Sequence, residues 1–296
     1  MKFGIAGNPE KTELPGVVEK LVQRFKKDGV DYVLHEGIAG VIKKKLSKSI
    51  SSGAQVVTNR DLGKSCDILI SLGGDGTILR LARLVAERRT PILGVNLGKL
   101  GFLAEVSTEE LDVCLTEILK KRYTIEERMM LEGTANGSKT VYYALNDIVV
   151  DKAGSLRVMD IETYVNEDYL ATFTGDGLIV STPTGSTAYA LANGGPIVIP
   201  SNTAFVISPI CPHTLTIRPV VVPDHCTIRL KIPSAPSKVH LTADGQQETL
   251  LSPPIEVLVK KAPFSTRLVK RRNTSYYDLL RRKLHWGRDI RQHSEE

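Results

Sequence analysis

Gly73-Gly74-Asp75-Gly76-Thr77 is the stretch whose neighbours decide how the chain folds. On its amino side, residues 66–72 (Cys-Asp-Ile-Leu-Ile-Ser-Leu) form a short apolar run with the composition of a buried parallel strand. On its carboxyl side, Ile78, Leu81, Ala82 and Val85 recur at helical spacing, with Arg80, Arg83 and Glu87 on the other face. The motif is therefore a glycine-rich turn between the carboxyl end of a strand and the start of a helix. Open α/β sheets bind their ligands at that place. Gly73, Gly74 and Gly76 carry no Cβ, so backbone N–H groups can approach an anion, and the helix N-terminus favours negative charge. Asp75 stands inside this phosphate cradle and would repel a phosphate. Its carboxylate either meets a metal ion or a substrate hydroxyl, or it caps the helix. The motif alone leaves both readings open.

Strand and helix alternate outward from this point. Residues 2–6, 32–35 and 91–96 read as strands, and 15–27 as an amphipathic helix. The polar, lysine-rich stretch 39–63 reads as a helix and surface loop. Such alternation predicts a parallel sheet covered on both faces. Residues 97–103 again bring glycines after a strand, and Lys99 there either helps neutralise phosphates or is merely exposed at a turn. Residues 108–122 form one more helix, opened by Ser107 or Thr108 with acids in its first turn.

The pattern then changes. Segments 141–151, 156–165, 169–174, 204–210, 214–222, 226–232 and 239–243 are β-branched, often alternating, and separated by Gly, Pro, Asn and Asp. Asn166-Glu167-Asp168 fits a hairpin turn. The expected fold is an α/β domain with a parallel sheet over residues 1–103, followed by an antiparallel all-β sandwich over 104–265. Residues 266–296 are expected to return a helix to the first domain.

Composition supports a globular chain with ample core: 42% hydrophobic and 24% charged residues. No apolar run reaches the ~18 residues of a membrane helix. Residues 1–7 read as a first strand entering a turn, too short for a signal peptide. Cys66, Cys114, Cys211 and Cys226 form no C-x-x-C pair, as expected of thiols in a reducing cytoplasm. From Lys260 onward there are 11 Lys/Arg against 4 Asp/Glu, whereas the remaining 28 and 29 nearly cancel. Tyr276, Leu279, Leu280, Leu284 and Trp286 are interleaved with that charge, so the tail reads as a helix docked on a core. Neither a nucleic acid nor a membrane is an expected partner.

Within the β region, residues 175–189 (GDGLIVSTPTGSTAY) depart from a plain strand. Ser181, Thr182, Thr184, Ser186, Thr187 and Tyr189 supply more hydroxyls than a core strand tolerates unless something polar lies alongside. Pro183 and Gly185 stop the strand, and Ser186 or Thr187 can cap a short helix through Ala192. The segment suits a phosphorylated or sugar-bearing ligand, or is a Ser/Thr-rich turn. Asn146-Asp147 interrupts an apolar strand, and such an amide and carboxylate can hold the two hydroxyls of a ribose. Asp244-Gly245-Gln246 is either a ligand contact or a type I′ hairpin turn.

Taken together, GGDGT at 73–77, ND at 146–147, the segment 175–189 and DGQ at 244–246 resemble the NAD kinase family in order and spacing, across nearly the whole chain. GGDGT alone is shared with diacylglycerol kinase-like lipid kinases and, loosely, with phosphofructokinases, so the first domain is expected to be of that Rossmann-like kind. The resemblance implies ATP-dependent phosphorylation of the adenosine ribose 2′-hydroxyl of NAD, giving NADP. It implies a divalent cation, usually Mg²⁺, and some members accept polyphosphate in place of ATP. It also implies a homodimer or homotetramer joined through the β domain. By position, Asp75 and Gly76 fall at the reacting ribose and phosphates, with Asp75 as the catalytic group. Asn146 and Asp147 fall at the dinucleotide's riboses. Asp176 and the run Thr187, Ala188, Tyr189, Ala190, Leu191 and Ala192 fall at the nicotinamide and adenine sites, with Arg157 and Gln246 at further contacts. Thr174 stands two before Asp176, where members that refuse NADH often carry a basic residue, so some NADH is expected to be accepted.

Two other readings compete. A lipid kinase would share GGDGT and use the basic tail, but the sequence offers no amphipathic membrane-binding segment. A dinucleotide sensor would bind NAD without turning it over, and loss of the carboxylate at position 75 would favour it.

Overall fold

The computed structural model describes residues 1–45, 55–272 and 275–286. The chain divides into two units, Met1–Glu126 with Arg267–Glu296, and Glu127–Thr266.

In the first unit, β1 (Lys2–Gly7), α1 (Leu14–Asp28), β2 (Asp31–His35), α2 (Glu36–Lys45), β3 (Gln55–Val57), α3 (Asn59–Leu62), β4 (Ile68–Gly73), α4 (Asp75–Val85), β5 (Ile92–Asn96), β6 (Val106–Ser107) and α5 (Leu111–Leu119) follow in order. The parallel sheet runs β5-β4-β1-β2-β3, extended beyond β5 by the end of a late strand that pairs Leu268 with Ile92. All six residues of β4 are buried, as expected of a strand covered on both faces. Helix α1 covers one face, with Phe25 stacked on Phe3 of β1 at 4.9 Å. It stops at Gly29, in the left-handed region at φ 65°, whose neighbour Val30 donates its N–H to the Phe25 carbonyl. The strand order reverses between β1 and β4, where Gly7 pairs with Leu72. The crevice at that reversal opens at the carboxyl ends of both strands.

The second unit contains β7 (Tyr123–Ala135), β8 (Tyr142–Ala144), β9 (Asp147–Asp151), β10 (Met159–Val165), β11 (Asp168–Gly175), β12 (Gly177–Ser181), α6 (Tyr189–Ala192), β13 (Ala204–Ile210), β14 (Val220–Pro223), β15 (Ile228–Ile232), β16 (Val239–Ala243), β17 (Gln247–Leu251) and β18 (Ile255–Arg271). The outer residues of β7 and β18 belong to the first unit, which also carries α7 (Tyr276–Leu284). One antiparallel sheet runs β14-β13-β12-β9-β16-β17, and β11-β10-β15-β18, with β7 and β8, forms the other. Leu178, Val180, Phe205 and Leu241 of one sheet share a core with Ile161, Ile228, Leu230 and Val257 of the other. The α/β fold with a parallel sheet and the antiparallel sandwich are thus both present.

Several details differ from the sequence reading. Residues 104–126 cluster with the first unit, which moves the boundary from 103/104 to 126/127. Segment 39–63 supplies an edge strand, β3, besides helix, and its residues 46–54 lie outside the described ones. Segment 141–151 is broken at Leu145-Asn146, and 156–165 becomes a strand only from Met159, leaving Leu156 fully exposed. Of segment 214–222 only residues 220–222 are strand, within β14. Five strands were not foreseen: β3, β6, β7, β17 and the 17-residue β18. The basic tail therefore begins as a strand, and its helix, capped by the Ser275 hydroxyl, buries Leu279 and Leu280 but leaves Trp286 exposed. Among the described residues no helix is long and apolar enough to cross a membrane.

Candidate active site

In the first unit, the turn after β4 behaves as its sequence requires. Gly74 stands at the N-cap of α4, and open space lies where its Cβ would be. Asp75 is the first residue of the helix, yet its carboxylate caps nothing in it. Instead Oδ2 accepts the N–H of Phe102 at 2.7 Å, and Oδ1 accepts those of Leu103 and Ala104, each at 3.0 Å. The helix-cap reading is therefore replaced by another: Asp75 gathers the N–H groups of the turn after β5. A carboxylate offers about four lone-pair positions. Three are taken, which fixes the group in orientation and leaves one on Oδ2 for a further donor. Gly101 makes the approach possible, because a Cβ there would lie 1.9 Å from Asp75 Oδ1.

Two cations border this region. Lys283 of α7 donates to the Leu100 carbonyl and lies 5.6 Å from the Phe102 ring centre. Arg80, half-buried on α4, donates to the Gly7 carbonyl at 3.2 Å, at the crevice where the strand order reverses. Arg80 was not singled out in the sequence. Its spacing placed it on the polar face of the helix, and only the strand order shows what it points toward.

In the second unit, Asn146, Asp147, Ala188 and Tyr189 line one cavity of about 280 Å³, together with Val149, Asp151, Thr242, Asp244 and Gly245. Asp244 and Gly245 have φ of 53° and 60°, as the type I′ turn between β16 and β17 demands. The same aspartate also accepts the N–H groups of Leu145 and Asn146, at 3.0 and 2.7 Å, and of Asp147 at 3.3 Å. Turn and site residue are one and the same, and this contact is what breaks segment 141–151.

The hydroxyls of 181–187 do not face this cavity. Ser181 donates to the Asn146 carbonyl, Thr182 to Leu145 and Ser186 to Pro183, and all three are fully buried. Thr184 accepts from the buried Arg128 at 3.3 Å, and Thr187 donates to the Thr184 carbonyl. None of them is in the lining of this cavity. Neither Ser186 nor Thr187 caps α6, whose N-cap is Ala188. Ala190 packs into a small apolar cluster with Val149, Ile179 and Ile210. Leu191, Ala192, Thr174, Asp176, Arg157 and Gln246 are not in the cavity wall. Arg157 and Gln246 are exposed, and Thr174 donates to Asp160 at 2.5 Å. Asp176 is paired with Lys152 at 2.6 Å, a partner that nothing in the sequence flagged.

Burial pushes the Asp147 carboxyl up to about 7, and the nearby Asp244 charge adds to the effect. Burial also raises Tyr189, with Asp151, Asp147 and Asp176 contributing. The fold holds the Asp147 proton more tightly than the unfolded chain, whose aspartates titrate near ~3.9. Its contribution to stability is therefore complete below ~pH 4 and is lost as pH rises toward about 7, at no more than ~1.4 kcal/mol per pH unit. Asp147→Asn is expected to flatten the stability profile across that window. Urea midpoints measured from pH 4 to 8 check it, and a profile as steep as the wild type's would contradict the assignment.

Comparison with known proteins bears directly on this pair of sites. Residues 3–123 match the ATP-NAD kinase N-terminal domain and residues 145–271 the ATP-NAD kinase C-terminal domain. The chain belongs to the NAD kinase family. It is 41% identical to the NAD kinase of Geotalea daltonii over 97% of this chain and 99% of that one. It is 38% identical to the NAD kinase of Natranaerobius thermophilus, with the same coverage. Among solved structures, yeast NADH kinase complexed with NADH superposes with a TM-score of 0.88 at 26% identity, over 98% of this chain and 89% of that one. An NAD kinase from Archaeoglobus fulgidus in complex with ATP gives 0.76 at 27% identity, over 96% and 99%. Membership makes this chain an NAD kinase by activity, and the lipid-kinase reading receives no support. GGDGT lies in the first family domain, and ND, GDG and DGQ lie in the second.

Proposed function

We propose that the chain phosphorylates the adenosine ribose 2′-hydroxyl of NAD with ATP, and that Asp75 is the group that orients and deprotonates this hydroxyl. The ribose oxygen bonds to the γ-phosphorus, the bond from that phosphorus to the β–γ bridging oxygen breaks, and ADP leaves. The hydroxyl proton passes to Asp75. Phosphoryl transfer has a loose transition state, so alignment and charge neutralisation outweigh the base, which acts late. The observation that carries the proposal is the Asp75 carboxylate, oriented by three N–H donors with one lone pair left over, at the carboxyl edge of the parallel sheet. Among the described residues no group of three or more His, Cys, Asp or Glu gathers to cage a metal. Mg²⁺ is taken to enter as MgATP, as part of the substrate, and no side chain is assigned to it. The acid-lined cavity at Asn146 and Asp147 takes the dinucleotide. Purified protein mixed with NAD, ATP and Mg²⁺ is expected to yield NADP, and tight NAD binding without NADP would favour the sensor instead.

NADH is a further expected substrate. Thr174 and Asp176 stand outside the cavity wall, Asp176 near enough to act on Tyr189, which lines it. Lys152 and Asp176 cancel each other and Thr174 is neutral, so they neither repel the charged ring of NAD nor exclude the uncharged ring of NADH. Turnover on the two at matched concentration should differ by less than about a thousandfold, or ~4 kcal/mol. A larger ratio refutes the idea.

The protein is also expected to be a cytoplasmic homo-oligomer. The apolar residues of β15 proved to be core: Ile228, Leu230 and Ile232 are fully buried. The exposed apolar surface lies instead at Leu215 and at Val221 of the edge strand β14. Light scattering should give a multiple of 32.5 kDa, and a monomer mass at working concentration would exclude the oligomer.

A further inference from the structure

The first unit holds a cavity of about 460 Å³ whose lining includes none of the residues assigned to NAD or to phosphoryl transfer. Its floor is apolar, formed by Gly94, Leu103, Val106 and Val269. Its size falls within the range of small-molecule sites, roughly 300–1,000 Å³. The walls are charged, and the charges do not balance. Of the acids, Glu117 and Glu110 are both taken by Arg271, at 3.0 Å each. Glu105 is taken by Lys270. Arg122, Arg272 and Arg282 also line the cavity and have no ion pair among the described residues. They come from three different places: the residues after α5, the end of β18 and helix α7. The lining holds four arginines (Arg122, Arg271, Arg272 and Arg282) against three glutamates (Glu105, Glu110 and Glu117), a net surplus of positive charge, and three of those guanidinium groups are left to meet a bound anion. Guanidinium forks match phosphate and carboxylate oxygens two at a time.

We propose that this cavity binds a compact anion carrying two or more phosphate or carboxylate groups, at a site additional to those for NAD and ATP. Its binding does not depend on the phosphoryl-transfer reading, so failure to form NADP would leave it untouched. Titration calorimetry with inorganic tripolyphosphate and with citrate, each alone and with a saturating non-hydrolysable ATP analogue, tests it. Binding of at least one probe should persist beside the analogue and weaken by about tenfold or more in Arg122→Ser/Arg282→Ser, which loses two charge-assisted contacts. Persistence of tripolyphosphate alone assigns a phosphate ligand, and persistence of citrate as well assigns a general polyanion. Loss of all binding beside the analogue, or equal affinity in the double variant, overturns the proposal. All three arginines are exposed, and circular dichroism confirms the fold of the variant. Should the double variant fail to fold, Arg122→Gln and Arg282→Gln replace it, and unchanged affinity in both overturns the site equally.

Discussion

Asp75→Asn is expected to lower the turnover number by roughly a hundredfold or more, the usual worth of a positioned base, with NAD affinity changed by only a few-fold. The substitution keeps the shape and one acceptor oxygen but removes the charge and the proton acceptor. It also disturbs the turn after β5. An amide NH₂ would face one of the N–H groups of Phe102, Leu103 or Ala104, and an orphaned buried N–H costs ~1–3 kcal/mol. A drop in melting temperature is thus expected under any reading of Asp75 and decides nothing by itself. Turnover measured well below both melting temperatures decides. A fully active Asp75→Asn enzyme would end the base assignment.

Gly101→Ala should be nearly as damaging, although residue 101 touches no substrate in the proposed reaction. The new Cβ would lie 1.9 Å from Asp75 Oδ1 and 2.5 Å from its Cγ, so the carboxylate or the turn must move. Positioned acid–base catalysis does not survive such a displacement, and a turnover loss of the same order, ~100-fold, is expected. A double-mutant cycle gives the test its edge. Once Asp75 is alanine the obstacle is gone, so Asp75→Ala/Gly101→Ala should be no slower than Asp75→Ala. Additive losses would show that Gly101 acts elsewhere.

What the sequence carried and what it hid follow from the range of the interactions. The α/β alternation, the glycine turn at 73–77 and the hairpin at 244–245 are local patterns, set by hydrophobic period and by φ, and they stand as read. The partners of Asp75 are backbone N–H groups 27 to 29 residues further on, and a backbone donor leaves no mark in composition. The same holds for Asp244, whose charge reaches back 97 to 99 residues to the 145–147 segment. The hydroxyls of 181–187 were visible, but their direction was not: their partners are carbonyls as far away as Leu145 and Val198. Strand β18 was hidden by its charge. Its lysines and arginines belong to the tail read as a docked helix, while Val257, Val259, Thr266 and Leu268 on the same strand are buried.

The discontinuity of the first unit also sets an order of assembly during synthesis. Residues 127–266 are contiguous and hold their whole core, so they can fold as soon as they leave the ribosome. The unit with Asp75 emerges earlier but waits longer: β6 covers β5 at Val95 and Asn96, but the start of the strand gains its outer partner only when Leu268 arrives to pair with Ile92. Lys283, which grips the turn beside Asp75, is made later still. The first-made half of this enzyme is therefore the last to become competent. A nascent chain stalled before residue 267 would carry every GGDGT residue and a partly unpaired, apolar strand edge at the start of β5, the kind of surface that recruits chaperones or aggregates.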